Sequence, residues 1–258
     1  MTPIELSPQL FALLFGTGFF AGFVDSIAGG GGLISLPILM STGMPPQMAL
    51  GTNKLQGSFG TFIAACNYTS KGEVEPKKTL VGIFFTLIGA LAGAWAIQRL
   101  DPWFLTYIIP LLLVGVFVYT LFSRDLGKVT TRARLSLNLF FVFFGLGLGF
   151  YDGFFGPGTG NFWMTGFMVV MGFSMTRAAG FTRIMNLVSN VVALTMFVVG
   201  QNVIYSVGIT MALGQILGAR LGSGLAIKKG AGFIRPVFLV VVFFTIVRLV
   251  YLNYSTLL

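Results

Sequence analysis

Across 258 residues the chain is 55% hydrophobic and only 9% charged, which excludes an ordinary soluble domain and points to a helical membrane protein with several spans. The formal net charge of +9 sits mostly in short segments between apolar runs, where the positive-inside bias and anionic lipid account for it, so nucleic acid is not an expected partner. One cysteine, Cys66, and no histidine exclude a Cys/His metal centre, an intramolecular disulfide and a His-based triad, and no cofactor is expected.

Taken in chain order, apolar runs predict spans near residues 6–28, 48–69, 78–98, 103–122, 136–155, 177–199, 203–226 and 236–256. The first lacks a basic leading segment and a small-residue cleavage site, so it reads as a retained span rather than a signal peptide. Two shorter apolar pieces, Leu33–Gly43 and Asn161–Gly172, follow the first and fifth spans. As helices they would rise only ~17 Å, about half a hydrocarbon core. Each is therefore a re-entrant hairpin or a discontinuous helix that completes a crossing. The short alternating segments of a β-barrel are not visible, so the expected fold class is an all-α polytopic membrane protein.

A duplication organises these spans. Gly22-Phe23-Val24-Asp25 leads into the glycine run Gly29–Gly32, and 127 residues later Gly149-Phe150-Tyr151-Asp152 leads into Gly156-Pro157-Gly158-Thr159-Gly160. Each break is followed by a short apolar piece and then by a cation inside the next span, Lys54 in the first copy and Arg183 in the second. Loop charges then set orientation. The loop near 70–78 carries Lys71, Lys77 and Lys78 while its counterpart near 200–202 carries none; the next loop has Arg99 in the first copy but Lys228, Lys229 and Arg235 in the second. Opposite bias in equivalent loops predicts two inverted repeats, which requires an odd number of crossings in each. Counting the short pieces as crossings gives about five in each repeat, with both termini outside and the basic loops sharing the cytoplasmic face. The expected division is a first repeat over 1–124, a basic linker over 125–135 containing Arg132 and Arg134, and a second repeat over 136–258.

Ionisable groups at bilayer depth cost ~2.5–3.5 kcal/mol on insertion scales, so they should face protein or water. Inside the predicted spans these are Lys54, Arg183, Arg220, Arg248, Asp25 and Asp152. Arg248 lies toward a span end, where a snorkelling cation is the favoured reading. For Arg220, a structural ion pair and a ligand contact weigh equally. Lys54 and Arg183 hold matching places in the repeats, which favours one central anion site over two independent structural salt bridges. Asn53, Gln56, Thr182 and Asn186 would add neutral hydrogen bonds, and Gly30, Gly31, Gly158 and Gly160 would let backbone amides at helix N-termini approach the ligand. Close helix packing is the alternative role for those glycines. Asp25 and Asp152 would repel an anion unless they cap the broken helices or carry a proton with the substrate; capping is slightly favoured.

At these residues the chain resembles the TauE/SafE family of sulfite exporters and related permeases, among its YfcA-like members. The resemblance rests on Ala21 to Gly32, Thr52 to Gln56, Gly149 to Gly160, Gly214 to Ser223 and Ile234-Arg235-Pro236, and so spans nearly the whole chain. It implies a bacterial inner-membrane permease for small sulfur-containing anions such as sulfite or organosulfonates. The function expected is a secondary transporter working by alternating access; an anion channel with the same basic site is the alternative. No Gly-x-x-x-x-Gly-Lys-Ser/Thr motif and no catalytic motif is present, so neither ATP-driven pumping nor an enzyme is expected. Partners would be the anion and membrane lipids, with self-association left open.

Overall fold

The computed structural model describes residues 7–122 and 133–229, and among these every regular element is helical. In order they are α1 (Pro8–Ala28), α2 (Gly31–Ser41), α3 (Pro46–Ser70), α4 (Leu80–Ile97) after a short 3-10 turn, α5 (Pro102–Phe122), α6 (Leu137–Phe154), α7 (Thr159–Val169), α8 (Met175–Val199) and α9 (Tyr205–Lys229). All fall within a few residues of the predicted runs. The eighth predicted span, 236–256, with Arg235 and Arg248, lies outside the described residues, as does most of the 125–135 linker.

Local chemistry starts and stops these helices. Ser7, Ser136 and Ser174 accept from the amides of Leu10, Leu139 and Arg177 at the starts of α1, α6 and α8, each satisfying a donor the helix itself cannot use. Proline opens α1, α3 and α5 in the position where its missing amide costs nothing. Four helical segments, Pro8–Ala28, Pro76–Ile97, Leu137–Phe154 and Met175–Val199, are long and apolar enough to cross a membrane. Helix α3 has 25 residues, yet Thr52, Asn53, Lys54, Gln56 and Ser58 dilute its apolar character, and all five are buried. Its polarity faces protein.

The order long, short, long, long occurs twice, as α1–α4 and α6–α9, with α2 and α7 both 11 residues and α3 and α8 both 25. Packing exchanges the two sets: α1 lies along α9, and α4 lies along α6. Both interfaces are glycine-lined. A methyl on Gly18, Gly22, Gly214 or Gly218 would strike a carbonyl across α1–α9; one on Gly89, Gly93, Gly149 or Gly153 would do the same across α4–α6. Such backbone proximity is how helices associate where lipid removes the hydrophobic drive between them. Helices α3 and α8 pack against each other between these pairs. Large apolar side chains such as Phe20, Phe84, Trp95, Phe143 and Leu217 are exposed on the outside.

Candidate functional site between the helix breaks

Helix α1 stops at Ala28 because Gly29 turns the chain at φ 76°, and α6 gives way to Gly156 at φ 98°, both in the region where a side chain is strained. The breaks meet at the centre. A methyl on Gly29 would lie 2.5 Å from the Cα of Gly160, and one on Gly160 would lie 2.6 Å from the Cα of Gly29.

Across this contact the two sets exchange charges. Lys54 on α3 gives Nζ to the Asp152 carboxylate at 2.6 Å, to the Asp152 carbonyl at 2.5 Å and to Asn190 Oδ1 at 3.2 Å. Arg183 on α8 gives Nη1 to Asp25 Oδ2 at 3.0 Å and also to the Asp25 carbonyl. Each cation thus closes on the carboxylate of the other set. Lys54, Arg183 and Asp152 are at most 3% exposed, so both pairs work where water screens little and breaking either leaves an unpaired buried charge.

The carboxylates are not equivalent. Asp25 Oδ1 accepts from the amides of Gly30 and Gly31, both at 3.1 Å, which caps α2 across the break. The bonds of Asp152 run instead to Lys54 and to the Ser189 hydroxyl.

Beside the ion pairs lies a polar cavity of about 30 Å³, on the scale of two water molecules. Of the residues singled out in the sequence, Asp25, Gly30, Asn53, Lys54, Gln56, Asp152, Gly158, Gly160 and Asn186 line it. Gly31 stands just behind, its amide held by Asp25. Thr182 and Arg183 are fully buried next to the lining rather than part of it, and Arg220 is exposed on α9, away from the cavity. Asn53 Oδ1 accepts from Gln56 Nε2 at 2.7 Å and from Ser35 Oγ at 2.5 Å. Gln56 Oε1, Asn186 Oδ1, Gln215 Oε1, Thr182 Oγ1 and Arg183 Nε and Nη2 are buried without a hydrogen-bond partner in the protein. Orphaned polar atoms of this kind cost ~1–3 kcal/mol each unless water or a polar guest meets them.

The family model for the sulfite exporter TauE/SafE matches residues 14–249. The chain belongs to the TauE/SafE family. Its similarity to a protein named "Probable membrane transporter protein" from Haemophilus influenzae is 38% identity, covering 96% of this chain and 97% of that one. "Probable membrane transporter protein YfcA" of Escherichia coli K12 is also 38% identical, over 92% of this chain and 88% of the relative. A more distant relative, "Sulfite exporter TauE/SafE family protein 6" of Arabidopsis thaliana, is 28% identical over 45% of this chain and 27% of its own length. No solved structure matches the chain.

Within this TauE/SafE member the sequence reading missed four cavity neighbours. Asn190 and Gln215 are polar residues inside helices, a legible signal. Gly57 stands against Asn190 where α3 meets α8, and Ser189 binds Asp152. Neither stands out in a sequence rich in glycine and small polar residues.

Proposed function

We propose that the protein is a secondary transporter that carries small sulfur-containing oxyanions, such as sulfite or organosulfonates, across the bacterial inner membrane by alternating access. The two sets of helices are the cores of two inverted repeats, over 1–124 and 136–258, each of about five crossings including the short helix after its break. The termini are periplasmic and lipid surrounds the exposed apolar faces. The observation that carries this reading is the pair of ion bridges crossing between the two glycine breaks beside a polar cavity with orphaned buried groups.

An anion in the cavity would have Lys54 and Asn186 in its lining, with the two unpartnered Arg183 nitrogens buried next to that lining. Because each cation is bound to the opposite set, rearranging either pair alters how the sets hold together. That is the bistable contact alternating access needs.

The test is counterflow in proteoliposomes: labelled sulfite outside, unlabelled sulfite inside, with sulfate, thiosulfate and a small sulfonate as competitors. Saturable exchange that is lost in both Lys54→Ala and Arg183→Ala is expected. Exchange unaffected by either substitution would remove the site, and no exchange of any of these anions would remove the substrate class.

A further inference from the structure

The two ion pairs differ in what an arriving anion must displace. Lys54 Nζ has three protons and three protein acceptors, the Asp152 carboxylate, the Asp152 carbonyl and Asn190. Every proton is in use, so an anion can bind Lys54 only by replacing a bound acceptor, and Asp152, which fills two of the three positions and carries the competing negative charge, is the group it competes with most directly. Arg183 is in the opposite position: one nitrogen holds Asp25, while Nε and Nη2 have no partner. It can donate to an anion oxygen and keep its carboxylate. Asp25 is anchored in addition by the amides of Gly30 and Gly31.

In the structure Asp152 is 3% exposed and its carboxylate has two side-chain partners, Lys54 and the Ser189 hydroxyl, so displacement from Lys54 leaves it the hydroxyl alone. A buried carboxylate without its cation is costly enough that taking up a proton is the cheaper outcome. No neighbouring element offers a replacement charge. Arg183 on α8 is held by Asp25 from α1, and α2, α4 and α7 contain no Asp, Glu, Lys or Arg. On its own helix the adjacent Tyr151 directs its hydroxyl to the Pro157 carbonyl at 2.8 Å.

We propose that Asp152 is the coupling carboxylate: the anion replaces it on Lys54, Asp152 takes up one proton as it is displaced, and anion and proton cross together. On the far side the anion leaves, the proton follows, and the Lys54–Asp152 pair re-forms. Asp25, by contrast, stays bound to Arg183 and to its cap throughout the cycle. This rests on the transporter reading above.

The experiment uses the same sulfite vesicles, adding an imposed pH gradient (outside acidic) without internal sulfite. Wild-type vesicles should accumulate labelled sulfite. Asp152→Asn should still exchange sulfite, with an altered half-saturating concentration, but lose the pH-driven accumulation down to the level of protein-free vesicles. Asp152→Glu should regain it at a lower rate. Asp25→Asn should exchange more slowly, yet its remaining flux should still respond to the gradient. Sulfite's own protonation is common to all vesicles, so differences between them belong to the protein. Accumulation in Asp152→Asn equal to wild type, or wild-type exchange without accumulation, overturns the proposal and leaves the transporter standing. Should Asp152→Asn fail to fold, as judged by monodispersity in detergent, the wild type decides alone by the same criterion. Wild-type vesicles that exchange none of the anions would sink the transporter reading, and the coupling proposal with it.

Discussion

The break after α1 and the break after α6 have the same ingredients, an aspartate in the last turns, a glycine turn and a short helix, and they use them differently. After α1 the aspartate is the joint, tied to two amides across the turn and to Arg183. After α6 the aspartate is turned away to Lys54 and Ser189, and the tie across the turn is instead Tyr151, whose hydroxyl reaches the Pro157 carbonyl. A tyrosine in the second copy stands where the first has Val24, which has no hydroxyl to offer. Moving the tie to Tyr151 frees one carboxylate from structural duty. The two breaks share their residue types, but the one after α1 ties its aspartate into the turn and the one after α6 leaves that tie to a tyrosine.

The sharpest way to break this contrast is to remove the cation of the stiff pair. Arg183→Ala leaves the Asp25 side chain, 13% exposed, with the Gly30 and Gly31 amides but no cation, and losing one partner of a largely buried pair typically costs up to ~3–5 kcal/mol. The variant should show a large drop in unfolding temperature in detergent and no sulfite counterflow; a normal melting curve would contradict the assignment of Arg183 and Asp25 as a strut. A somewhat smaller effect is expected at Gly156. Its φ of 98° disfavours a side chain, and a methyl there would lie 2.7 Å from Lys54 Nζ and 2.8 Å from Asp152 Oδ1. Gly156→Ala should cost about 1–3 kcal/mol through strain, and should depress exchange by more than its loss of stability explains, which parallel melting and counterflow curves would resolve.

Asp25 itself sharpens the comparison further. Asp25→Asn keeps an oxygen for the Gly30 and Gly31 amides, whereas Asp25→Ala leaves both without a partner, so the alanine variant should be the less stable by about 1–2 kcal/mol. Equal stability would mean that the cap contributes nothing. The smallest effect belongs to Arg220, exposed on α9 and away from the cavity. Arg220→Gln should melt within about 0.5 kcal/mol of wild type and exchange sulfite normally.

Much of this is legible in the sequence. Long apolar runs gave helix positions to within a few residues, because burial in lipid demands uninterrupted apolar length. The repeat-matched pairs Asp25 and Asp152, Lys54 and Arg183 stood out because charge is rare in such runs. Which carboxylate each cation would meet was not legible. That depends on α1 pairing with α9 and α4 with α6, and glycine spacing marks a helix as able to pack closely without naming its partner. Arg220 shows the same limit from the other side: its place on a glycine-rich helix is evident, while the face it occupies is set by the packing of that helix on α1. Asn190 and Gln215 were visible as polar residues in apolar helices, but only the contact of α3 with α8 and α9 turns them toward the cavity.

One double variant tests whether the Lys54–Asp152 pair is a binding element rather than a structural bridge. Lys54→Met with Asp152→Asn removes both charges together, so neither is left buried alone, and replacing a whole buried pair is often close to neutral for stability. Counterflow of labelled sulfite should then be absent from a protein that is monodisperse and melts near the wild type. Recovery of both stability and exchange in that double variant would show that the pair only holds the helices together, and would contradict the account.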